Sequence, residues 1–413
     1  MSASPAATAR PEVTIRSLSL SVYAPTLLFA IGQGAVIPVV VLAARDLGAS
    51  VAVAGLVAAL RGIGVLCFDV PAGWLVSRFG EGRAMAAGTL LVAVALAGSA
   101  LAPALAVFAV FTFVMGCGWS VWLLARLAYL SDAVPINRRG RALSTLGGVN
   151  RVGNFIGPLL GVVAIKLMDV EGAYVVHFVT AIGAFAMLSL FLHDAGGAGD
   201  LHREPNNPLE ILREHSGVFL TVGAGVTAIQ VLRAARQLVL PLWAEHIGLA
   251  DSQVSLIFGI SVGMEMLLFY PAGSVMDRAG RKWVALPCLG IMSAGMLLIP
   301  LTQSFLTLSA VGIVLGFGNG LGSGIVMTLG ADFSPAIGRA QFLGTWRLFG
   351  DIGTAGGPLA VAGVTGLAGL GPSAVLMGLL GLGGVALLSF RMPEPLRLQN
   401  EDPPRSSPVA GPG

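Results

Sequence analysis

Nine ionisable side chains interrupt stretches that are otherwise apolar: Arg61, Asp69, Arg126, Arg151, Arg233, Arg236, Glu265, Arg347 and Asp351. A charge at the centre of a bilayer costs roughly 2.5–3.5 kcal/mol on insertion scales, so such residues face partners or a water-filled path. The chemistry open to them is ion pairing, proton carriage and the binding of a charged solute. Catalysis has little to draw on, because no H-E-x-x-H, G-x-S-x-G or G-x-x-x-x-G-K-[ST] pattern occurs. Cys67, Cys117 and Cys288 lie in apolar stretches without metal-ligand spacing. We therefore expect no enzyme activity, no cofactor and no metal. Aromatic residues are few and no basic tract is interleaved with them, so nucleic acid is not an expected partner.

These charges need elements to carry them, and composition says which. Of 413 residues, 55% are hydrophobic and 11% are charged, against about 25% charged in an average soluble domain. The expected solvent is a bilayer, whose crossing takes about 20 largely apolar residues per helix. Charge-free runs at 17–44, 84–125, 283–331 and 352–390, with breaks at Ala102-Pro103, Pro300 and Gly369–Pro372, predict an all-α membrane protein with twelve transmembrane helices. The spans fall near 18–44, 52–76, 84–101, 104–131, 142–166 and 173–192, then 217–243, 252–276, 283–301, 304–331, 340–366 and 371–390. The first apolar run is too long for a cleaved signal peptide. Two six-helix bundles, 18–192 and 217–390, flank a polar linker at 193–216; tails occupy 1–17 and 391–413, the latter Pro-rich and expected to be disordered.

Orientation follows from basic residues. Sixteen lysines and arginines fall in the tails and even-numbered loops, whereas Arg45 and Lys166 alone fall in the others. The positive-inside rule then places both termini and the linker in the cytoplasm, with the chain in the cytoplasmic membrane. The halves also repeat at a fixed offset of 200 residues: Pro71-Ala72-Gly73 recurs as Pro271-Ala272-Gly273, Arg78 and Gly80 as Arg278 and Gly280, and Gly153, Gly157 and Pro158 as Gly353, Gly357 and Pro358. Six-helix repeats of this kind place a solute path at their interface.

Gly273, Asp277, Arg278, Gly280, Arg281 and Lys282 fit G-x-x-x-D-R-x-G-R-K, which resembles the signature loop of the major facilitator superfamily. Gly73, Arg78 and Gly80 give a degraded first-half copy in which Ser77 replaces the aspartate. Gly153, Gly157, Pro158 and Gly161 in the fifth span resemble the antiporter motif of that superfamily's drug–proton branch. The arginine usual to that branch in the fourth span is absent; Thr112 stands there, four residues before Gly116. The resemblance implies the major facilitator fold and secondary transport of a small-molecule substrate, with protons or another ion as the coupling partner, membrane lipid around it and a monomeric chain. Efflux of amphipathic compounds or drugs leads; transport of an anionic metabolite and a non-transporting membrane sensor are the alternatives.

In that fold the second span faces the eleventh and the fifth faces the eighth. Counted at about 1.5 Å per residue from the inner end, Asp69 and Arg347 both lie about 11 Å deep, Arg151 about 14 Å and Glu265 about 17 Å. Asp69–Arg347 and Arg151–Glu265 are thus expected as ion pairs that gate the cytoplasmic side, the alternative being that each residue pairs within its own half as fixed structural glue, with Asp351 turning to Arg347 or Arg61. Expected cavity residues are Gln33, Arg61, Trp119, Trp122, Arg233, Arg236 and Glu265. Arg126 is expected to snorkel, His177 to be packed in the core, and the signature loop to cap a helix and pair across the halves.

Overall fold

In the computed structural model the described residues are 18–134, 136–191, 208–335 and 339–393. The expected tails and most of the linker lie outside them. Helices account for nearly everything described: α1 Ser19–Val36, α2 Val51–Phe79, α3 Glu81–Ala100, α4 Leu105–Ala133, α5 Ile136–Met168 and α6 Glu171–Phe191 form the first half. Then follow α7 Ser216–His246, α8 Asp251–Ala279, α9 Lys282–Leu301, α10 Phe305–Phe333, α11 Arg339–Ala368 and α12 Leu370–Arg391. A short helix, Pro208–Glu214, precedes α7 within the linker. Eleven of the twelve are long and apolar enough to cross a membrane. The exception, α11, carries Arg347, Asp351 and closely spaced glycines because it is an interior helix, packed on both α7 and α2.

The 200-residue repeat is written into the backbone. Both α1 and α7 contain one turn of π-helix, at Ser19–Tyr23 and Phe219–Gly223. Positive φ recurs at Gly48 and Gly248, at Gly80 and Gly280, and at Asp169 and Gly369, each closing a turn between helices. Gly80 and Gly280 end α2 and α8 three residues beyond the expected spans, which is where their left-handed φ lets the chain reverse.

Two helices are broken. After α1 the chain turns and resumes as a helix at Val40–Asp46. Helix α10 runs Phe305–Leu321, turns through Gly322-Ser323-Gly324, and resumes as Ile325–Phe333, with Gly324 at φ 81°. Its first-half counterpart, α4, passes the equivalent Trp122-Leu123-Leu124 unbroken. The sequence shows no interruption in α10, since the break lies inside a charge-free run.

Glycines set how closely helices approach. A Cβ at Gly153 would lie 2.9 Å from the Leu27 carbonyl oxygen of α1, and one at Gly353 would lie 2.6 Å from the Thr227 oxygen of α7. Gly157 and Gly357 press in the same way on Ile31 and Val231, whereas Gly161 leaves ordinary van der Waals room beside Ala35. The helix 5 motif and its repeat are therefore the close-packing faces of α5 on α1 and of α11 on α7.

Described contacts of the signature loop reach other helices of its own half. Arg281 pairs with Asp332 of α10 at 2.7 Å and donates to the Met276 carbonyl, while Lys282 donates to the Ser389 carbonyl of α12. These described contacts fasten α8 and α9 to α10 and α12. Asp277, Arg278 and Arg78 are exposed at the C-terminal ends of α8 and α2, whose final turns also hold Gly273 and Gly73.

Candidate functional site: a charged cavity between the halves

A cavity of about 330 Å³ opens where α1, α4 and α5 of one half meet α7, α8, α10 and α11 of the other. Of the expected cavity residues, Gln33, Trp119, Arg233, Arg236 and Glu265 line it. Arg61 and Trp122 do not. Arg61 stands behind the wall, its guanidinium 5.5 Å from the Trp119 ring, and Trp122 is fully buried against Phe29. Arg126 does not snorkel: it is 6% exposed and stacks 4.0 Å from the Trp122 ring, with Thr26 as a hydrogen-bond acceptor. His177 is buried edge-on to Phe29.

Glu265 has a different partner from the one expected. Its Oε2 accepts from Arg236 Nη2 at 3.2 Å and from the Asn319 side-chain amide. Arg151 instead lays its guanidinium 3.9 Å from the ring of Phe269. The depth estimate gave each residue's height but not its azimuth, and α7 presents Arg236 on the face turned to α8. Arg233 is held by neutral acceptors only among its described contacts: Asn319 Oδ1 at 2.7 Å, Gln230 Oε1 at 3.0 Å and the Gly322 carbonyl at 2.8 Å. The last sits in the break of α10, where it also accepts from the Ile325 amide at 3.2 Å. Asn150, Asn154, Gln230, Asn319 and Ser323 complete the polar wall, and sequence reasoning passed over them because uncharged amides do not stand out in a hydropathy profile.

Ion pairs join the halves at two levels. Toward the Gly80 and Gly280 turns Arg347 Nη2 lies 3.2 Å from Asp69 Oδ1, and its Nε lies 3.4 Å from Asp351 of the same helix. Ser120 of α4 donates a second hydrogen bond to Asp69. At the opposite end, near the Gly48 and Gly248 turns, Arg45 Nε meets Glu245 Oε1 at 2.9 Å and Oε2 at 3.3 Å. These two residues are repeat equivalents, 200 apart, so a pseudo-twofold axis passes between them. That offset was the signal that would have found the pair. Beside it Asp46, past the first span, has its carboxyl pKa pushed up by burial and then by the charges of Glu171, Glu245 and Asp169, with Arg45 opposing.

Two bundles related by an internal repeat, with a polar chamber between them, define an architecture that a family comparison can test. The sequence profile of the Major Facilitator Superfamily matches residues 25–236 and 224–411. The chain belongs to the Major Facilitator Superfamily. It is a multi-pass membrane protein of that superfamily. It is 24% identical over 318 residues to a multi-drug resistance efflux pump PmrA homologue of Lactococcus lactis, covering 73% of this chain and 78% of that one. An uncharacterised MFS-type transporter of Enterobacter sp. (strain 638) is 26% identical over 231 residues, 56% of this chain and 59% of that one. The chain thus spans little more than half the length of that relative. Among solved structures, a POT family transporter in complex with 5-aminolevulinic acid superposes with a TM-score of 0.76 at 11% identity, over 92% of this chain and 98% of that one. A D-xylose–proton symporter does so at 0.72 and 16% identity, over 93% and 99%. At such identities the likeness is one of fold.

Proposed function

We propose that this transporter exports a small amphipathic solute from the cytoplasm by alternating access, powered by the proton gradient. The observation that carries the reading is the chamber at the interface of the halves, whose walls mix Trp119, Phe258 and Val262 with charged and amide groups. Export is supported by the glycine–proline face of α5 and by the similarity to a relative named as an efflux pump. The bundles 18–192 and 217–390 are the rocking bodies, joined by a cytoplasmic linker at 193–216 in a cytoplasmic membrane with both termini inside. One chain holds the whole path, so a monomer suffices.

Asp69, Arg347 and Asp351 form the inner latch and the proton station. Two carboxylates share one guanidinium there, so the group carries an uncompensated negative charge at the interface. A proton arriving from outside loosens the Asp69 hold on Arg347, and the inner side opens to the next solute. Loss of that proton to the cytoplasm restores the ion pair. Arg45–Glu245 fastens the outer end in the opposite phase, and the form with both latches closed is the intermediate that alternating access requires.

Everted membrane vesicles containing the purified chain test this. With a proton gradient imposed, addition of an exported amphiphile from a compound library should dissipate part of the gradient, and D69N or R347Q should abolish that response while leaving solute binding measurable. Flux that persists unchanged without a proton gradient would overturn the coupling. Absence of any flux across the library, in protein that binds solute, would make the chain a sensor instead.

A further inference from the structure

The charges on the chamber wall do not cancel. Arg151, Arg233 and Arg236 face one carboxylate, Glu265, an excess of two positive charges among the described lining residues. Glu265 is already engaged by Arg236 and Asn319. Arg233 is satisfied in hydrogen bonds but by neutral oxygens, so its charge is uncompensated. Arg151 keeps its Nε buried and without a hydrogen-bond partner. An uncompensated guanidinium in a low-dielectric chamber is costly when empty and strongly favours an anion.

The break in α10 adds to the same potential. The second segment, Ile325–Phe333, starts at Gly324 with no side-chain cap, and Gly324 and Ser323 line the chamber. Ser323 is 5% exposed and its hydroxyl has no partner. A helix N-terminus carries a partial positive charge, and interrupted membrane helices aim such ends at anionic groups. No comparable end exists at the equivalent point of α4, which is continuous. The asymmetry of the repeat thus falls where the positive charges gather.

Resting on the transport reading, we infer that the solute is an anionic amphiphile: a carboxylate, sulfonate or phosphate ester on an aromatic or apolar body. Its acid group neutralises Arg151 from one half and Arg233 from the other, beside the start of the second α10 segment, and its body lies against Trp119 and Phe258. The side-chain amides of Gln33, Asn150 and Asn154, each with an unpartnered buried oxygen, meet polar substituents on that body. Because the two arginines belong to different halves, the anion draws the bundles together as it binds, which links occupancy to rocking.

The test uses the purified full chain in detergent and two matched series. One is 4-hydroxybenzoate, 4-hydroxybenzamide and 4-hydroxybenzylammonium; the other is 1-naphthalenesulfonate, 1-naphthol and 1-naphthylmethylammonium. In thermal-stabilisation titrations at least one anion should bind tenfold or more tightly than its neutral and cationic partners, and more tightly than inorganic phosphate. R151Q should weaken that anion tenfold or more, while loss of the Phe269 stack lowers the melting temperature of the empty protein only modestly. R233Q should weaken it similarly, and E265Q should tighten it. The inference is overturned if the neutral or cationic member binds as well as the anion, if phosphate does, if neither anion binds, or if E265Q weakens anions while R151Q and R233Q leave them unchanged. Selective anion binding without flux in proteoliposomes would sink the exporter reading and leave this one standing. Flux of cations with anions inert would do the reverse.

Discussion

Replacing Arg45 by glutamine should swing the outer ends of the two halves apart. Arg45 and Glu245 each keep 31% of their side-chain surface exposed, and the contact is two-pronged at 2.9 and 3.3 Å. Exposed pairs contribute about 0.2–1 kcal/mol, and the forked geometry with partial burial places this one near the top of that range, about 1 kcal/mol. At about 1.4 kcal/mol per tenfold, its loss shifts the ratio of outer-closed to outer-open protein about fivefold. The shift should exceed that, because Arg45 also opposes the repulsion among Asp46, Asp169, Glu171 and Glu245. Spin labels at Leu101 and Leu301 report it: they are repeat equivalents at the outer ends of α3 and α9, and are 81% and 74% exposed. Their distance distribution should gain a long component in R45Q, and the double exchange R45E/E245R should restore the short one. An unchanged distribution in R45Q would mean that helix packing alone closes the outer end, and the latch would be an ornament.

The same labels should show the outer end closing as pH falls. The Asp46 carboxyl is raised in the closed form by burial and neighbouring acids, so that form binds the proton more tightly; closure gains as pH drops through the raised value and is lost as pH rises above it, and D46N should flatten the response between pH 7.5 and 4.5. R281A should lower the melting temperature by stranding Asp332, with both side chains only 11–12% exposed; breaking such a pair costs about 3–5 kcal/mol, and R281K should recover part of it because lysine lacks the fork. G357L should misfold or melt early: even a Cβ there would sit 2.6 Å from the Val231 carbonyl oxygen, and overpacking of this kind costs about 1–3 kcal/mol, read as lost monodisperse protein on size exclusion.

The spans, the repeat and the superfamily were legible because a bilayer imposes its thickness on every helix and because glycine and proline recur at one offset. Tertiary azimuth was not. Arg151 and Glu265 share a depth but not a partner, since the residue that meets Glu265 is Arg236, one helix away in the same half. The signal that the repeat did offer went beyond fold. Where the backbone repeats and the side chain changes charge, the two halves meet or the chamber forms: Arg45 opposite Glu245 at the outer latch, Arg151 equivalent to Asp351, and Phe269 equivalent to Asp69. The last four make two equivalent contacts of opposite chemistry, since Arg151 stacks on Phe269 while Asp351 and Asp69 share Arg347. In the proposed cycle one side of the interface is cationic and takes the solute anion, and the other is anionic and takes the proton. A duplicated bundle with identical contacts on both sides could rock, but it would have no means of telling solute from coupling ion; in the proposed cycle, divergence at these few equivalent positions supplies that distinction.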